Sequence, residues 1–298
     1  MKKVLITGAN SYIGTSFEQF IKGHYSTELK IDTIDMIDEN WREKTFSGYD
    51  AIFHVAGIAH ADIENASEET KDLYYKVNCE LAFDCARKAK ADGVGQFLFM
   101  SSMIVYPGAT RYNQMNVITK DTEPLPDNFY GDSKLQAEKK INTLVDDSFK
   151  VVILRPPMIY GRNSKGNYRI LSKIAGKLPV FPKVNNQRSM LYVGNLCEFV
   201  RLMITNGESG TFFPQNSTYT NTSEMVRAIA SAKGRKIWIT GIFTPFILLL
   251  SCMKNKYGKL VNKAFGSLVY DMSLSEYKEE YRIYSLQDSI KEAECGDS

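Results

Sequence analysis

A tyrosine and a lysine one helical turn apart could carry out proton transfer in this chain. Tyr130 and Lys134 lie four positions apart in the stretch Phe129–Lys134, so a helix places both side chains on one face. A lysine ammonium beside a phenol favours the phenolate, which lowers the pKa of the tyrosine towards neutral pH. Such a tyrosine can accept or donate a proton at a sugar hydroxyl or carbonyl group. The same spacing is common on ordinary surface helices. It therefore indicates catalysis only if other segments of the chain predict a cofactor site and a substrate site.

A turn containing glycines near the N-terminus predicts a dinucleotide site. It lies between a short apolar strand and a helix predicted over residues 12–22. Gly8 permits a tight turn, Gly14 permits close packing of the helix on the strand, and the helix N-terminus can bind a diphosphate. Ser11 replaces the middle glycine of the usual pattern, and it is small enough for the diphosphate to approach. The residues of this turn predicted to bind the cofactor are Gly8, Asn10, Ser11, Tyr12, Ile13 and Gly14.

An acidic residue at the end of the second predicted strand is expected to bind the ribose of the cofactor. Asp35 follows Gly14 by 21 residues, close to the usual separation, and Asp32 is the alternative. A carboxylate here repels a 2′-phosphate, so we expect NAD as the cofactor. Arg42 and Lys44 lie shortly afterwards, which keeps NADP as the less favoured choice.

The elements that must position these residues alternate between strand and helix. Apolar runs predict buried strands at residues 4–6, 30–36, 51–57, 96–102 and 150–155, and helical spacing predicts helices at 12–22, 73–91 and from about 129 onwards. This alternation predicts right-handed βαβ units and a parallel sheet in an α/β fold. Residues 106–128, rich in Pro, Gly, Asn and Thr, are predicted to form a long functional loop. Beyond Gly161 the pattern loosens, with helices at 168–176, 196–205 and 222–233 and a strand at 187–193.

Composition excludes several classes of function. The 37 basic and 34 acidic residues are interspersed and give a net charge of only +3, which argues against a nucleic-acid partner. The five cysteines show no repeated short spacing, which predicts reduced thiols and a cytoplasmic location. With three histidines and no cluster of Cys and His residues, we expect no metal site. Met1–Ile6 begins like a signal peptide, but Thr7–Asn10 interrupts it before an apolar segment forms.

The most apolar segment, residues 237–253, is too short for a membrane span. It has 17 residues and is interrupted by Gly241 and Pro245. We therefore expect a helix packed within a soluble protein, with shallow contact with a membrane surface as the alternative.

Together these segments resemble the extended short-chain dehydrogenase/reductase family, in its NAD-dependent epimerase/dehydratase branch, clearly over about residues 1–200. The resemblance implies a Rossmann-type, doubly wound parallel sheet (residues 1–165) with a smaller C-terminal substrate lobe (residues 166–298), although residues near 187–205 could return to the core. It also implies a catalytic triad of a hydroxyl, a tyrosine and a lysine. Ser102, four residues before Tyr106 of the strand-end motif, is identified as the hydroxyl, and Tyr130 and Lys134 complete the triad.

The resemblance assigns further residues to cofactor and substrate. The additional cofactor-binding residues are Val55, Ala56, Gly57, Asn78 and Pro157, together with Tyr130 and Lys134. The substrate-binding residues are Ser102, Met103, Asn167 and Arg188, the last directed towards the substrate diphosphate.

The sequence departs from the family pattern at two places. The segment between Asp35 and Asp50 has little room for the usual third strand and helix, and Ser189 stands where many relatives have an acidic residue.

The activity implied is that of an NAD-dependent UDP-hexose 4-epimerase, acting through a 4-keto intermediate. One alternative is an NAD(P)H-dependent 4-keto-reductase of a UDP-deoxysugar in surface-polysaccharide biosynthesis, and another is a non-catalytic NAD-binding scaffold. A dehydratase is disfavoured, because Met103 and Ile104 stand where dehydratases of the family carry an Asp–Glu pair. A homodimer is implied by the resemblance alone.

Overall fold

The computed structural model describes residues 1–59, 65–108 and 111–295. The chain divides into two compact units. The first comprises Met1–Pro107, Glu123–Pro156 and Leu196–Pro214, and the second comprises Gly108–Thr122, Pro157–Asn195 and Gln215–Ser298.

Strands and helices alternate along most of the described chain. The strands are β1 (Lys2–Thr7), β2 (Leu29–Ile34), β3 (Ala51–His54), β4 (Gln96–Met100), β5 (Met115–Ile118), β6 (Lys150–Leu154), β7 (Met158–Tyr160), β8 (Val180–Pro182), β9 (Met190–Tyr192), β10 (Gly210–Phe212), β11 (Trp238–Thr240) and β12 (Ser267–Tyr270). The helices are α1 (Tyr12–His24), α2 (Glu68–Tyr75), α3 (Leu81–Ala91), α4 (Phe129–Asn142), α5 (Asn167–Lys177), α6 (Val193–Thr205), α7 (Thr222–Ala232), α8 (Thr244–Ser251), α9 (Lys256–Phe265) and α10 (Leu286–Cys295).

A parallel sheet of six strands forms the centre of the first unit, in the order β10-β6-β4-β3-β1-β2, which confirms the predicted α/β fold. β1 pairs with both β2 and β3, so the chain changes its direction of winding at this point. In open α/β sheets, ligands bind at such a switch point, outside the carboxyl ends of the strands. The segment between Asp35 and Asp50 contains a single 3-10 turn, Glu39–Arg42, and no strand, which agrees with the predicted lack of room.

Small residues bring helices close to this sheet. Ala82, Ala86 and Ala89 of α3 are fully buried and belong to the same core as Phe97 and Phe99 of β4. Because strands covered on both faces have no solvent side, their sequences read as unbroken apolar runs rather than as alternating patterns. This explains why the central strands are well predicted.

The helix predicted over residues 73–91 is interrupted. The structure has α2, a π-helical turn at Lys76–Glu80, and then α3. The helical segment also begins at Glu68, earlier than predicted, and a single π turn of five residues is too short for sequence periodicity to reveal. The predicted loop over residues 106–128 also needs correction, because it contains β5, which pairs with β12; residues 109–110 of that loop lie outside the described chain.

The apolar segment over residues 237–253 differs from the single packed helix that was predicted. It forms β11, which pairs with β8, and then the eight-residue helix α8, with Pro245 in its first turn. Phe246 and Leu249 of α8 are largely exposed, so the prediction that this helix is packed inside the protein is wrong for most of its large side chains. No helix among the described residues is long and apolar enough to cross a bilayer.

Among its described residues, the second unit has three two-stranded parallel sheets, β7–β9, β5–β12 and β8–β11. Its helices pack mainly on one another, with α5 and α10 against α7, and α8 against α9. Buried hydrogen bonds between side chains, rather than an extended sheet, connect distant segments of this unit. The Tyr160 hydroxyl lies 2.6 Å from the Ser289 hydroxyl and accepts a hydrogen bond from the Asn216 amide at 3.1 Å.

A glycine substitution tests how tightly the start of α4 is fitted against the turn that follows β4. A Cβ atom at Gly131 would overlap the carbonyl oxygen of Ile104 and lie 2.8 Å from the Cβ of Pro126. We expect Gly131→Ala to lower the free energy of unfolding by about 1–3 kcal/mol in urea denaturation, as overpacking does. Gly23→Ala in α1 is the matched control, since its Cβ would meet nothing within 4 Å. It should raise stability by up to about 1 kcal/mol, and equal effects of the two substitutions would contradict the close fit.

Candidate active site

The start of helix α4 lies against the turn that follows β4. The Asn128 side chain caps the helix by accepting a hydrogen bond from the Gly131 amide at 2.9 Å. Gly131 packs directly on the Ile104 carbonyl, and the Ser102 hydroxyl accepts a hydrogen bond from the Ile104 amide at 3.2 Å. The structure therefore brings the Ser102 turn and the first turn of α4, which carries Tyr130, to the same end of the sheet.

The Lys134 ammonium is buried and held in one position. It donates a hydrogen bond to the Met100 carbonyl at 2.8 Å and lies 4.7 Å from the centre of the Phe99 ring. A Cβ atom at Gly57 would lie 3.3 Å from the same nitrogen, so the loop after β3 passes close to it. Burial lowers the pKa of Lys134 to about 8, although the Glu138 carboxylate acts in the opposite direction.

Tyr130 has a raised rather than a lowered pKa. Burial, with a smaller contribution from Tyr74, raises the pKa of Tyr130 to about 12. The Tyr74 ring packs edge-on against it, with 5.5 Å between ring centres. The expected lowering of this pKa by Lys134 is not found, since the Lys134 ammonium is instead hydrogen-bonded to the Met100 carbonyl. Tyr130 is a protonated phenol at neutral pH, the form that donates a proton.

Asn78 lies in the π-helical turn and fastens the loop after β3. Its amide donates to the Ile58 carbonyl at 3.0 Å, and its side-chain oxygen accepts from the Ile58 backbone amide at 2.9 Å. A Cβ atom at Gly57 would lie 3.0 Å from that side-chain oxygen. The structure thus brings together Asn78, Gly57 and Lys134, three residues that the sequence assigns to cofactor and catalysis.

The loops after β1 and β3 are pressed together at the switch point. The backbone amides of Val55 and Ala56 both donate to the Thr7 carbonyl, at 3.0 and 2.8 Å. Gly8 has φ of 110°, and a Cβ atom there would lie 2.7 Å from the Ala56 amide nitrogen. Both the positive φ and the close approach require glycine at this position.

Ser11 begins helix α1. Its hydroxyl oxygen accepts a hydrogen bond from the Gly14 amide at 3.1 Å, so it serves as the N-cap. Asn10, just before it, is exposed and has φ of 64°. Tyr12 and Ile13 form the first turn of α1, where the helix dipole favours an anion such as a diphosphate.

Of the two candidate acids for the ribose, Asp35 has the suitable position. The amides of Gly8 and Ala9 donate to the Ile34 carbonyl at 3.0 and 3.1 Å, which places the glycine turn beside the end of β2. Asp35 follows directly and is exposed. Asp32 instead accepts a hydrogen bond from the Tyr49 hydroxyl at 3.0 Å. The glycine turn, the α1 N-terminus and Asp35 together fit a dinucleotide.

A buried ion pair behind the site is missed by the sequence reasoning. The Glu138 carboxylate accepts hydrogen bonds from the Arg155 guanidinium, the shortest at 2.5 Å, and another from the Ser101 hydroxyl. Arg155 also donates to the Tyr106 hydroxyl at 2.6 Å. The available signal is that Glu138 lies one helical turn after Lys134, on the same face of α4.

Two predicted substrate residues, Asn167 and Arg188, line one cavity of about 360 Å³ in the second unit. Arg188 is held by the backbone, since it donates to the Gly266 carbonyl at 3.1 Å and to the Lys263 carbonyl at 2.5 Å. Burial lowers the pKa of Arg188. The Thr220 hydroxyl, also in the lining, is buried and has no hydrogen-bond partner among the described residues. The remaining lining residues are Met158, Ile170, Leu171, Ile174, Phe181, Met190, Thr222, Met225, Leu260, Lys263, Ala264 and Phe265.

The other predicted site residues are placed as follows. Met103, predicted to contact substrate, is buried in the turn after Ser102, and its backbone amide donates to the Pro156 carbonyl at 2.9 Å. Pro157, predicted to bind the cofactor, is buried and directly precedes β7 in the second unit. Thr220 and Lys263 were not predicted. They lack a motif of their own and are recognisable only from the cavity.

Comparisons with known proteins show the family of the chain and the fold that it shares. The family model described as the NAD dependent epimerase/dehydratase family matches residues 4–213. A UDP-glucose 4-epimerase of Vibrio cholerae is 28% identical over 294 residues, which cover 91% of this chain and 88% of the relative. An N-acetyl-alpha-D-glucosaminyl-diphospho-ditrans,octacis-undecaprenol 4-epimerase of Escherichia coli O157:H7 is 28% identical over 224 residues, covering 70% of this chain and 64% of the relative. A solved dTDP-4-dehydrorhamnose reductase from Clostridium acetobutylicum shares the fold, with a TM-score of 0.72, 20% identity and 98% coverage of each chain.

Neutralising Glu138 tests the buried ion pair. Glu138→Gln keeps the shape of the side chain but leaves the Arg155 guanidinium, whose side chain is 11% exposed, without a counter-charge. We expect the free energy of unfolding in urea to fall by about 3–5 kcal/mol. We also expect the pKa of Lys134 to fall, since Glu138 raises it.

Glu68→Gln is the matched control. Glu68 pairs with Lys71 at 2.6 Å, but its side chain is 82% exposed. Its loss should change stability by no more than about 0.5 kcal/mol. Equal effects of the two substitutions on the free energy of unfolding would show that the ion pair between Glu138 and Arg155 does not hold α4 in place.

Proposed function

The chain belongs to the NAD-dependent epimerase/dehydratase family, as its motifs predict, and we propose that it epimerises nucleotide sugars at C4. Membership makes it an NAD(P)-dependent enzyme of the epimerase or oxidoreductase type. The observation that carries the proposal is the placement of Tyr130 and Lys134 on α4 at the end of the sheet where the loops after β1 and β3 meet. The likeness to a UDP-glucose 4-epimerase along most of the chain favours UDP-hexoses as substrates.

The dinucleotide would supply a hydride acceptor for the sugar C4 and then return the hydride. Gly8, the start of α1 and Asp35 would hold its diphosphate and ribose, and Asn78 and Gly57 lie towards the end where Lys134 is found. The exposed carboxylate of Asp35 would repel a 2′-phosphate, so NAD is the cofactor that we propose.

Tyr130 moves the proton in this proposal. It accepts the proton of the sugar 4-hydroxyl in the oxidation step and donates it back to the 4-keto oxygen in the reduction step. The oxidation needs the phenolate form of Tyr130, which the Lys134 ammonium would stabilise together with the positive charge of bound NAD, since burial alone favours the protonated phenol. The Ser102 hydroxyl donates a hydrogen bond to the same sugar oxygen and polarises the 4-keto group.

The cavity of the second unit is the proposed site for the nucleoside diphosphate. The Arg188 guanidinium supplies a fixed positive charge, which suits a diphosphate. The Thr220 hydroxyl and the Asn167 amide supply further polar contacts, and the apolar lining can pack against the base and ribose.

A second candidate function is the 4-keto-reductase of a UDP-deoxysugar in surface-polysaccharide biosynthesis, with NAD(P)H consumed. The raised pKa of Tyr130, about 12, favours the reductase, because a phenol that stays protonated is better suited to donate a proton than to accept one. A non-catalytic scaffold is disfavoured, since Ser102, Tyr130 and Lys134 are all present. A homodimer stays a prediction.

The activity can be tested by incubating the purified protein with UDP-hexoses and no added cofactor. We expect conversion to the C4 epimer, followed by chromatography, and release of NAD from the denatured protein, identified by mass spectrometry. Tyr130→Phe should reduce turnover at least about 1,000-fold with NAD binding retained, because the proton carrier is lost. Tyr75→Phe is the matched control, since Tyr75 donates its hydroxyl to Asp132 at 2.7 Å and should be dispensable for turnover.

The results separate the two activities. Steady oxidation of NADH or NADPH with a UDP-4-keto sugar, and no epimerisation, would favour the reductase. Near-normal turnover in Tyr130→Phe would contradict both.

Arg188 tests the substrate cavity separately from the cofactor site. We expect Arg188→Lys to raise KM for the UDP-sugar by about tenfold or more, because a lysine cannot reproduce the two-pronged contact of a guanidinium with a diphosphate. NAD affinity should stay unchanged. Arg235→Lys, at an exposed arginine of the same unit, is the control and should leave KM unchanged. A normal KM in a folded Arg188→Lys protein, checked by thermal melting, would place the diphosphate elsewhere.

A further inference from the structure

An exposed apolar stripe runs along one side of the α8–α9 hairpin, residues 242–265. Phe246 and Leu249 are three residues apart and share one face of α8, and Ile242 and Met253 lie two residues before and two residues after that helix. All four are exposed, Phe246 by 60% and Leu249 by 65%. Single exposed apolar residues are ordinary, but a continuous stripe of large ones indicates a contact surface.

Lysines lie beside this stripe on the second helix of the hairpin. Lys256, Lys259 and Lys263 recur at intervals of three and four residues on α9, and all three are exposed. The exposed Tyr257 and Leu260 follow the same spacing on the adjacent face. The hairpin therefore presents aromatic and aliphatic side chains together with ammonium groups.

The charge around the hairpin has a single sign over a long segment. Residues 225–270 contain no Asp or Glu. The same segment contains Arg227, Lys233, Arg235, Lys236, Lys254, Lys256, Lys259 and Lys263. The chain as a whole has a net charge of only +3, whereas this segment, which includes the hairpin, carries eight basic residues and no acidic ones. An anionic surface complements it, whereas a second copy of the same face would repel it.

Specific contacts hold the hairpin in place, so its apolar side chains are not exposed through loose packing. Ile247, on the opposite side of α8, is buried in a small core with Tyr112 and Val184. A Cβ atom at Gly258 would overlap the Met253 carbonyl oxygen, so α9 begins in close contact with the end of α8. The Asn262 amide donates to the Ser251 carbonyl at 3.1 Å, and its oxygen accepts from the Tyr112 amide at 2.9 Å.

We propose that the α8–α9 hairpin docks the second unit on the surface of an anionic phospholipid bilayer. Phe246, Leu249 and their neighbours in the stripe enter the boundary between headgroups and acyl chains, and Lys254, Lys256 and Lys259 bind the lipid phosphates. The eight residues of α8 are far too few to span a bilayer, so the contact is interfacial. This docking goes beyond the proposed sugar chemistry and does not depend on it.

Sedimentation with vesicles tests the proposal. We expect the full-length protein to sediment with vesicles of phosphatidylcholine and phosphatidylglycerol, and less with phosphatidylcholine alone or at high salt. Phe246→Ser with Leu249→Ser should lower the vesicle affinity about tenfold or more. Lys254→Gln, Lys256→Gln and Lys259→Gln combined should lower it by a similar factor, for anionic vesicles only. Leu125→Ser, at a residue 71% exposed in the first unit, is the matched control and should have no effect.

Several outcomes would overturn the proposal. Wild-type protein that stays in the supernatant with anionic vesicles would do so, as would equal binding by the Phe246/Leu249 variant. A dimer that this variant dissociates, seen by sedimentation equilibrium without lipid, would assign the stripe to a second copy instead. If the variant does not fold, Phe246→Trp provides an independent readout. Its added fluorescence should be quenched by lipids brominated in the acyl chains, and unchanged fluorescence would contradict docking.

Discussion

The buried ion pair between Glu138 and Arg155 is the constraint on which the geometry of the active site depends. Two charges removed from water are tolerated only when their hydrogen-bonding groups find partners. Here Ser101 and Tyr106 supply further hydrogen bonds. The members come from α4, from the residues that follow β4 and from the residue after β6, so satisfying the charges fixes α4 against the carboxyl end of the sheet. Tyr130 and Lys134, earlier on the same helix, are positioned as a consequence.

Burial has a second effect on this site, because it favours the neutral forms of both groups proposed for proton transfer, Tyr130 and Lys134. It lowers the pKa of Lys134 to about 8 and raises that of Tyr130 to about 12. The Met100 carbonyl and the Phe99 ring partly compensate the lysine charge. No comparable compensation is found for a Tyr130 phenolate among the contacts that shift its pKa. The protein alone thus favours proton donation, and proton acceptance requires a further positive charge near the phenol.

The parts of the structure that depend on local pattern could be predicted from the sequence. The central strands are apolar throughout, the glycine turn follows β1, and the spacing of Tyr130 and Lys134 fits one helix. Features that depend on distant partners could not be predicted. β5 exists because β12, about 150 residues later, pairs with it. Hydrophobicity alone also could not show that Phe246 and Leu249 remain exposed, since an apolar run has the same composition whether its partner is a protein core or something else.

The residues proposed for the chemistry and the residues that line the cavity of the second unit differ in how well the sequence pattern reveals them. The family match ends at residue 213, and it includes the glycine turn, Ser102, Tyr130 and Lys134. Thr220, Lys263 and the α8–α9 hairpin lie beyond it. Hydride and proton transfer make the same demands on any sugar, so their residues are recognisable by pattern. By contrast, the residues of a binding cavity have to fit only one substrate, and the residues of a docking surface have to fit only one partner. Thr220, Lys263 and the hairpin therefore carry no general pattern, and only the folded second unit reveals them, whereas Asn167 and Arg188 lie within the family match and are predicted from the sequence.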